Sequence, residues 1–215
     1  MGMNNNKRHD LQPLRGNSPR RSRCYSGRPL IDLADLQSTV LGHLLTSTAT
    51  PMVAAAIPVG PGVYALQYHG NNPLLARFGS NGSVVYVGKG ILRERWKAHV
   101  ESLDEAQGLG AGDFSIRVIP YGSFAESSLG ELLLIDALLP VFNAPIFSGL
   151  GSRLQGERRR QHQTASPFDV MFPGRVGRAQ PTPADDARLE RLTAAFKAFP
   201  AIPMPDLEID DPYAI

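Results

Sequence analysis

Gly62-Val63-Tyr64-Ala65-Leu66-Gln67-Tyr68 and, after a loop rich in glycine and asparagine, Ser83-Val84-Val85-Tyr86-Val87-Gly88 decide the fold. Both stretches are dense in β-branched and aromatic residues and are bounded by turn formers, the pattern of neighbouring strands. Phe114-Ser115-Ile116-Arg117-Val118-Ile119 is predicted as a third strand. Between the second and third, Leu92 to Leu103 is predicted as a helix with Leu92, Trp96, Val100 and Leu103 on one face. A second, strongly apolar helix is predicted from Ser127 to Leu139, stopped by Pro140. The order strand, strand, helix, strand, helix predicts an α+β fold: a small, three-stranded, mainly antiparallel sheet flanked by helices.

The flanks read as extensions of that core. Leu33, Leu36, Val40, Leu41 and Leu44 recur every three or four residues, so a helix is expected from Ile31 to about Thr48. Pro51 to Pro61 reads as a stiff connector. From Pro145 to Pro181 the sequence reads mostly as loop. A last helix is expected from Pro183 to Phe199, with Asp185 and Asp186 at its positive end. The expected division is a basic flexible arm (1–28), a helix and connector (29–60), the core (61–147) and a C-terminal loop-and-helix extension (148–215).

A chain of 215 residues, 42% of them hydrophobic, is able to bury one core without metal or disulfide staples. The single cysteine, Cys24, excludes a disulfide framework and a cysteine-based zinc site, and points to a reducing compartment. No apolar run follows the charged N-terminus, so no secretory signal is read there. Ala49 to Leu66, the stretch poorest in charge, is broken by prolines and glycines and is not a membrane span. The expectation is a soluble protein of the cytoplasm.

The formal charge of +2 hides a strong asymmetry. Residues 1–28 carry seven bases against Asp10, and residues 150–178 carry six arginines against Glu157 and Asp169. The tail from Ala184 carries seven acids against three bases. Basic arms and loops of this kind lie along phosphates or act simply as solubilising segments.

Seven polar residues fall where this layout brings chemistry together. Tyr64 lies on the first strand, Tyr86 on the second, and Lys89 just past it. Arg95 and His99, four apart, share one helix face. Glu131 is isolated among leucines of the second core helix, and Asn143 follows the Pro140 stop. Singly, each has an ordinary explanation. The tyrosines would pack across strands, Arg95 would join Glu94 and Lys97 on a solvated face, and His99 would be a surface or hydrogen-bonded core histidine. Glu131 would be a first-turn carboxylate, and Asn143 a turn residue before Pro145.

Together, Gly62-Val63-Tyr64, Tyr86-Val87-Gly88, Arg95-x3-His99 and Glu131-x11-Asn143 resemble the GIY-YIG nuclease superfamily, element by element and in order. The middle valine of each tripeptide is a conservative departure, and the resemblance covers about Gly62 to Asn143. Phe147-Ser-Gly-Leu-Gly-Ser-Arg153 and Ser166-Pro-Phe-Asp-Val-Met-Phe-Pro-Gly-Arg175 are similar to the C-terminal signature of type II restriction endonucleases in that superfamily, those cutting CCGCGG. The chain length also leaves little room for the added domains of its repair and homing members.

The resemblance implies metal-assisted hydrolysis of a DNA phosphodiester, leaving 5'-phosphate ends. Glu131 would be the sole protein carboxylate on Mg2+, with Mn2+ as a substitute. Arg95 would meet charge developing on the phosphate. Tyr64 would contact the attacking water with His99 accepting a proton, or Lys89 would be the base instead; the residues leave both open. Tyr86 and Asn143 would position the phosphate and tie helix to sheet. Arg153, Arg158, Arg159, Arg160 and Arg175, with Gln161 and Gln163, are the candidate DNA contacts, since arginine pairs with guanine O6 and N7. A palindromic target implies a homodimer on double-stranded DNA and, functionally, a cognate DNA methyltransferase. Alternatives are a structure-selective or nicking nuclease of the same superfamily, or a non-catalytic DNA-binding module on this fold. No aromatic strand pattern supports an RNA-directed enzyme.

Overall fold

Pro61–Tyr68 forms the central strand, labelled β2 because a two-residue strand, Thr50–Pro51 (β1), precedes it in the sheet. The computed structural model describes residues 32–151 and 164–205. The basic arm 1–28 with Cys24, and Arg153, Arg158, Arg159, Arg160, Gln161 and Gln163, lie outside the described residues. Val84–Ile91 (β3) and Phe114–Pro120 (β4) pair antiparallel with the two sides of β2. The strand order is β1-β4-β2-β3, so the three expected strands are present and the connector adds a short fourth. From Gly62 to Tyr68, β2 is buried on both faces. Burying each Val or Leu there contributes about 1.5–3 kcal/mol.

The helices divide between the two faces. Leu33–Thr46 (α1) and Phe124–Leu138 (α4) cover the face that presents Val63, Ala65, Val87 and Ile119. Gln37 Nε2 donates to the Leu133 carbonyl at 3.1 Å and to Asp136 at 2.9 Å, fixing α1 against α4. Arg117 Nη1 donates to the Leu45 and Ser47 carbonyls and so closes the end of α1 onto the sheet. Leu92–Glu105 (α3) lies on the other face with Tyr64, Leu66 and Tyr86. Two short helices, Ala76–Ser80 (α2) and Pro167–Met171 (α5), and the last helix Asp186–Ala198 (α6) complete that side. Phe142, Phe147, Phe168, Phe172 and Phe196 pack edge-to-face or tilted there, with centroids 5.0 to 6.0 Å apart. No helix among the described residues is long and apolar enough to cross a membrane.

Several boundaries differ from expectation: β3 runs on to Ile91, so Lys89 lies within the strand, and α2 interrupts the loop read before it. α4 begins at Phe124, one turn before Ser127, because Ser123 and Glu126 form a reciprocal cap: Ser123 Oγ accepts from Glu126 N at 3.2 Å and donates to its carboxylate at 2.9 Å. Glu131 is therefore mid-helix, and a favourable helix dipole does not account for it. α5 interrupts the predicted loop because Ser166 caps it and Pro167 stands at its first position.

Candidate active site

Strand register builds the first half of the site. Tyr64 pairs with Gly88 and Leu66 with Tyr86, which puts both tyrosines on the α3 face with ring centroids 6.1 Å apart. Their approach needs a glycine. A Cβ on Gly88 would collide with Tyr64 Oη and stand 2.8 Å from the Tyr86 ring. α3 then lowers His99 between them, its ring 5.3 Å from Tyr64 and 5.2 Å from Tyr86. Tyr64 Oη lies 2.8 Å from His99 Nε2, and Arg95 Nε donates to the same oxygen at 3.2 Å. Arg95 is held from behind: its Nη2 donates to the Gly151 carbonyl at 2.5 Å. The i, i+4 spacing thus delivers both side chains to one hydroxyl.

The second half lies across the strand. Alternation along β3 turns Val87 and Lys89 to the α4 face, where Lys89 Nζ sits 3.0 Å from Glu131 Oε2. Both are partly exposed, at 38% and 20% of their side chains. Lys89 follows Gly88 directly on β3, so the two halves meet around the Gly88–Gly90 end of that strand. Asn143 serves the outer edge of the same strand. Its Oδ1 accepts from Val87 N at 2.7 Å and its Nδ2 donates to Val87 O at 2.8 Å. The amide is thereby spent on the backbone of β3, and its part is to tie the Pro140 stop to the sheet.

Burial dominates the electrostatics. It drives the Tyr64 hydroxyl far above the ordinary tyrosine range and raises Tyr86 as well; Arg95 opposes both. Burial pushes His99 down to about 3, with Arg95 and Arg175 adding to the depression. The resting site holds a neutral tyrosine against a neutral imidazole, whose buried Nδ1 has no hydrogen-bond partner among the described residues.

His99 makes the fold acid-sensitive in a defined direction. Its proton is bound more weakly when folded than at the unfolded value of about 6.5. Its contribution is therefore complete above that value and is lost as pH falls toward about 3. Denaturant melts should show wild type losing on the order of 3 kcal/mol more than His99→Gln between pH 7 and pH 4. Parallel losses would refute the assignment.

One predicted contact is corrected. Arg175 is 2% exposed, and its guanidinium is spent inside the protein. It pairs with Asp169 at 2.7 Å and bonds Ser102, Leu150 and Gly149, so it offers nothing to a guanine edge. Sequence reasoning also missed Gly151. It lay inside the quoted run from Phe147 to Arg153, but nothing local marks a carbonyl that will meet Arg95.

A family model described as the Eco29kI GIY-YIG domain matches residues 76–199, more than half of the chain. The matched span holds Tyr86, Lys89, Arg95, His99, Glu131 and Asn143, and Tyr64 lies before it. No curated protein matches the chain.

Proposed function

The chain belongs to the Eco29kI GIY-YIG domain family, a family of restriction endonucleases, and from that premise we propose that it cleaves double-stranded DNA at a short GC-rich palindrome. The observation that supports a working enzyme is the joint engagement of one hydroxyl, Tyr64 Oη, by His99 and Arg95, with a carboxylate, Glu131, across the same strand. This reading takes the protein to act as a homodimer, one site per strand, and to leave 5'-phosphate ends. Arg153, Arg158, Arg159 and Arg160, with Gln161 and Gln163, supply base and phosphate contacts. A cognate methyltransferase protects the host sequence.

Glu131 is chemically suited to a divalent cation: it is a hard oxygen donor partly open to solvent, and the Lys89 ammonium 3.0 Å away would give way to the ion. Among the described residues there is no group of three or more His, Cys, Asp or Glu able to hold a metal. A single carboxylate completed by water and phosphate oxygens is a donor set that Mg2+ accepts, with Mn2+ as a substitute. Bound there, the ion supplies charge stabilisation and an acidified water.

The remaining steps belong to side chains. Arg95, anchored on the Gly151 carbonyl, presents its guanidinium to charge developing on the scissile phosphate. Tyr64 contacts the attacking water and takes up its proton as its own passes to His99 Nε2 at 2.8 Å. Burial opposes that transfer in the resting site, and phosphate charge offsets the depression that Arg95 imposes on His99. Lys89 is the charge partner of Glu131 at rest; a cation on that carboxylate would free its amine, which makes it the alternative base. Tyr86 shapes the tyrosine pocket, and Asn143 keeps β3 in register with the turn after α4.

Digestion of a mapped plasmid with Mg2+ tests the reading. Discrete fragments whose sequenced ends share one GC-rich palindrome and carry 5'-phosphates are expected. Random nicks or smears would favour a structure-selective nuclease, and intact but bound plasmid a non-catalytic module.

A further inference from the structure

Arg175, excluded from base contact, occupies the best-connected buried position among the described residues. Its guanidinium reaches three separate parts of the fold. Nε donates to Asp169 Oδ1 of α5 at 2.7 Å. Nη1 donates to Ser102 Oγ of α3 at 2.7 Å and to the Leu150 carbonyl at 3.4 Å. Nη2 donates to the Gly149 carbonyl at 3.0 Å, and the plane lies 4.7 Å over the Phe168 ring. Asp169 is fixed in turn, its Oδ2 accepting from Ser166 Oγ at 2.5 Å.

These contacts end next to the catalytic arginine. Gly149 and Leu150 lead directly to Gly151, whose carbonyl accepts from Arg95 Nη2. Gly151 is also pressed onto the other tyrosine: a Cβ there would overlap Tyr86 Oη. On α3, Ser102 stands two turns beyond Arg95, so the clamp grips the helix that carries Arg95 as well as the segment that orients it. A fixed ion is the right device here. A planar guanidinium holds two carbonyls, a hydroxyl and a carboxylate in one geometry, whereas a lysine holds far fewer at once.

We propose that Arg175, locked by Asp169, is a positioning residue for Arg95: it sets the Gly149–Gly151 segment whose last carbonyl aims the Arg95 guanidinium at the scissile phosphate. The proposal rests on the reading of Arg95 as the phosphate contact. Arg175 touches neither DNA nor the reacting atoms. It acts through the 149–151 backbone, so its loss lowers the cleavage step and spares DNA binding.

A double-mutant cycle tests this on the full chain with a supercoiled plasmid that the wild-type protein cuts. Asp169→Asn/Arg175→Met removes both charges together, so no unpaired ion is left buried. Its single-turnover rate at saturation should fall about 10- to 100-fold, with the half-saturating concentration changed less than about threefold. Arg95→Lys should fall about 100-fold by itself, and adding Asp169→Asn/Arg175→Met to it should cost less than about threefold more. Multiplying effects would reduce the pair to general stability and overturn the proposal, as would a wild-type rate for Asp169→Asn/Arg175→Met. If that protein melts below the assay temperature, Arg175→Lys takes its place in the cycle under the same criteria. It keeps a charge opposite Asp169 and loses the grip on two carbonyls. Wild-type cleavage by Arg95→Ala would overturn the proposal through its premise, a failure distinguishable from the other two because it appears before Arg175 is touched.

Discussion

Glu131→Ala is expected to cut plasmid at least about a thousandfold more slowly than wild type while binding the same DNA as tightly or more tightly. The carboxylate is paired with Lys89 on the α4 face of β3, and alanine removes the oxygen that would hold the cation. Binding is spared because removing a negative charge beside a polyanion lowers repulsion. Folding should survive too. The partner left behind, Lys89, is 38% exposed and can turn to solvent, so a stability change within about 1 kcal/mol is expected. Cleavage assays with Mg2+ and gel shifts without it separate the two properties. Undiminished cutting would exclude the assigned role.

Gly88→Ala should be the most damaging change of a single methyl group in the site. The added carbon would collide with Tyr64 Oη and meet the Tyr86 ring at 2.8 Å, both buried and packed against His99. Neither ring has space to retreat, so overpacking should cost about 1–3 kcal/mol in thermal or denaturant melts. Displacing Tyr64 also breaks the shared contact with His99 and Arg95, and cleavage should drop on the order of a hundredfold. The same substitution at Gly42 is the control. A methyl group there would have nothing within 4 Å, and the position is mid-helix, so cleavage should stay unchanged while stability rises by up to about 1 kcal/mol.

The three long strands and the helix of Arg95 were legible because apolar spacing and turn formers agree there. So was the meeting of Arg95 with His99, which follows from helical periodicity. The cap at Ser123 was also written in the sequence, as serine followed three residues later by glutamate, but the leucine run beginning near Ser127 drew the start inward. Glu131 then read as a first-turn acid. Arg175 was misplaced for a deeper reason. Its partners Ser102, Gly149 and Leu150 stand far from it in the chain, and residue type alone does not separate a buried guanidinium from one facing DNA. The division of the site between the two faces of β3 was hidden likewise, since it depends on a register that only the pairing with β2 fixes.

The place of β3 at the margin of the sheet has a cost that Asn143 removes. A nuclease must bring its chemistry to the rim, where a rod as thick as duplex DNA can reach it, yet a bare rim invites another polypeptide to zip alongside. One side-chain amide, donating to and accepting from Val87, occupies the central rung of that ladder as a foreign strand would. The central rung of that rim is thereby denied to a foreign strand.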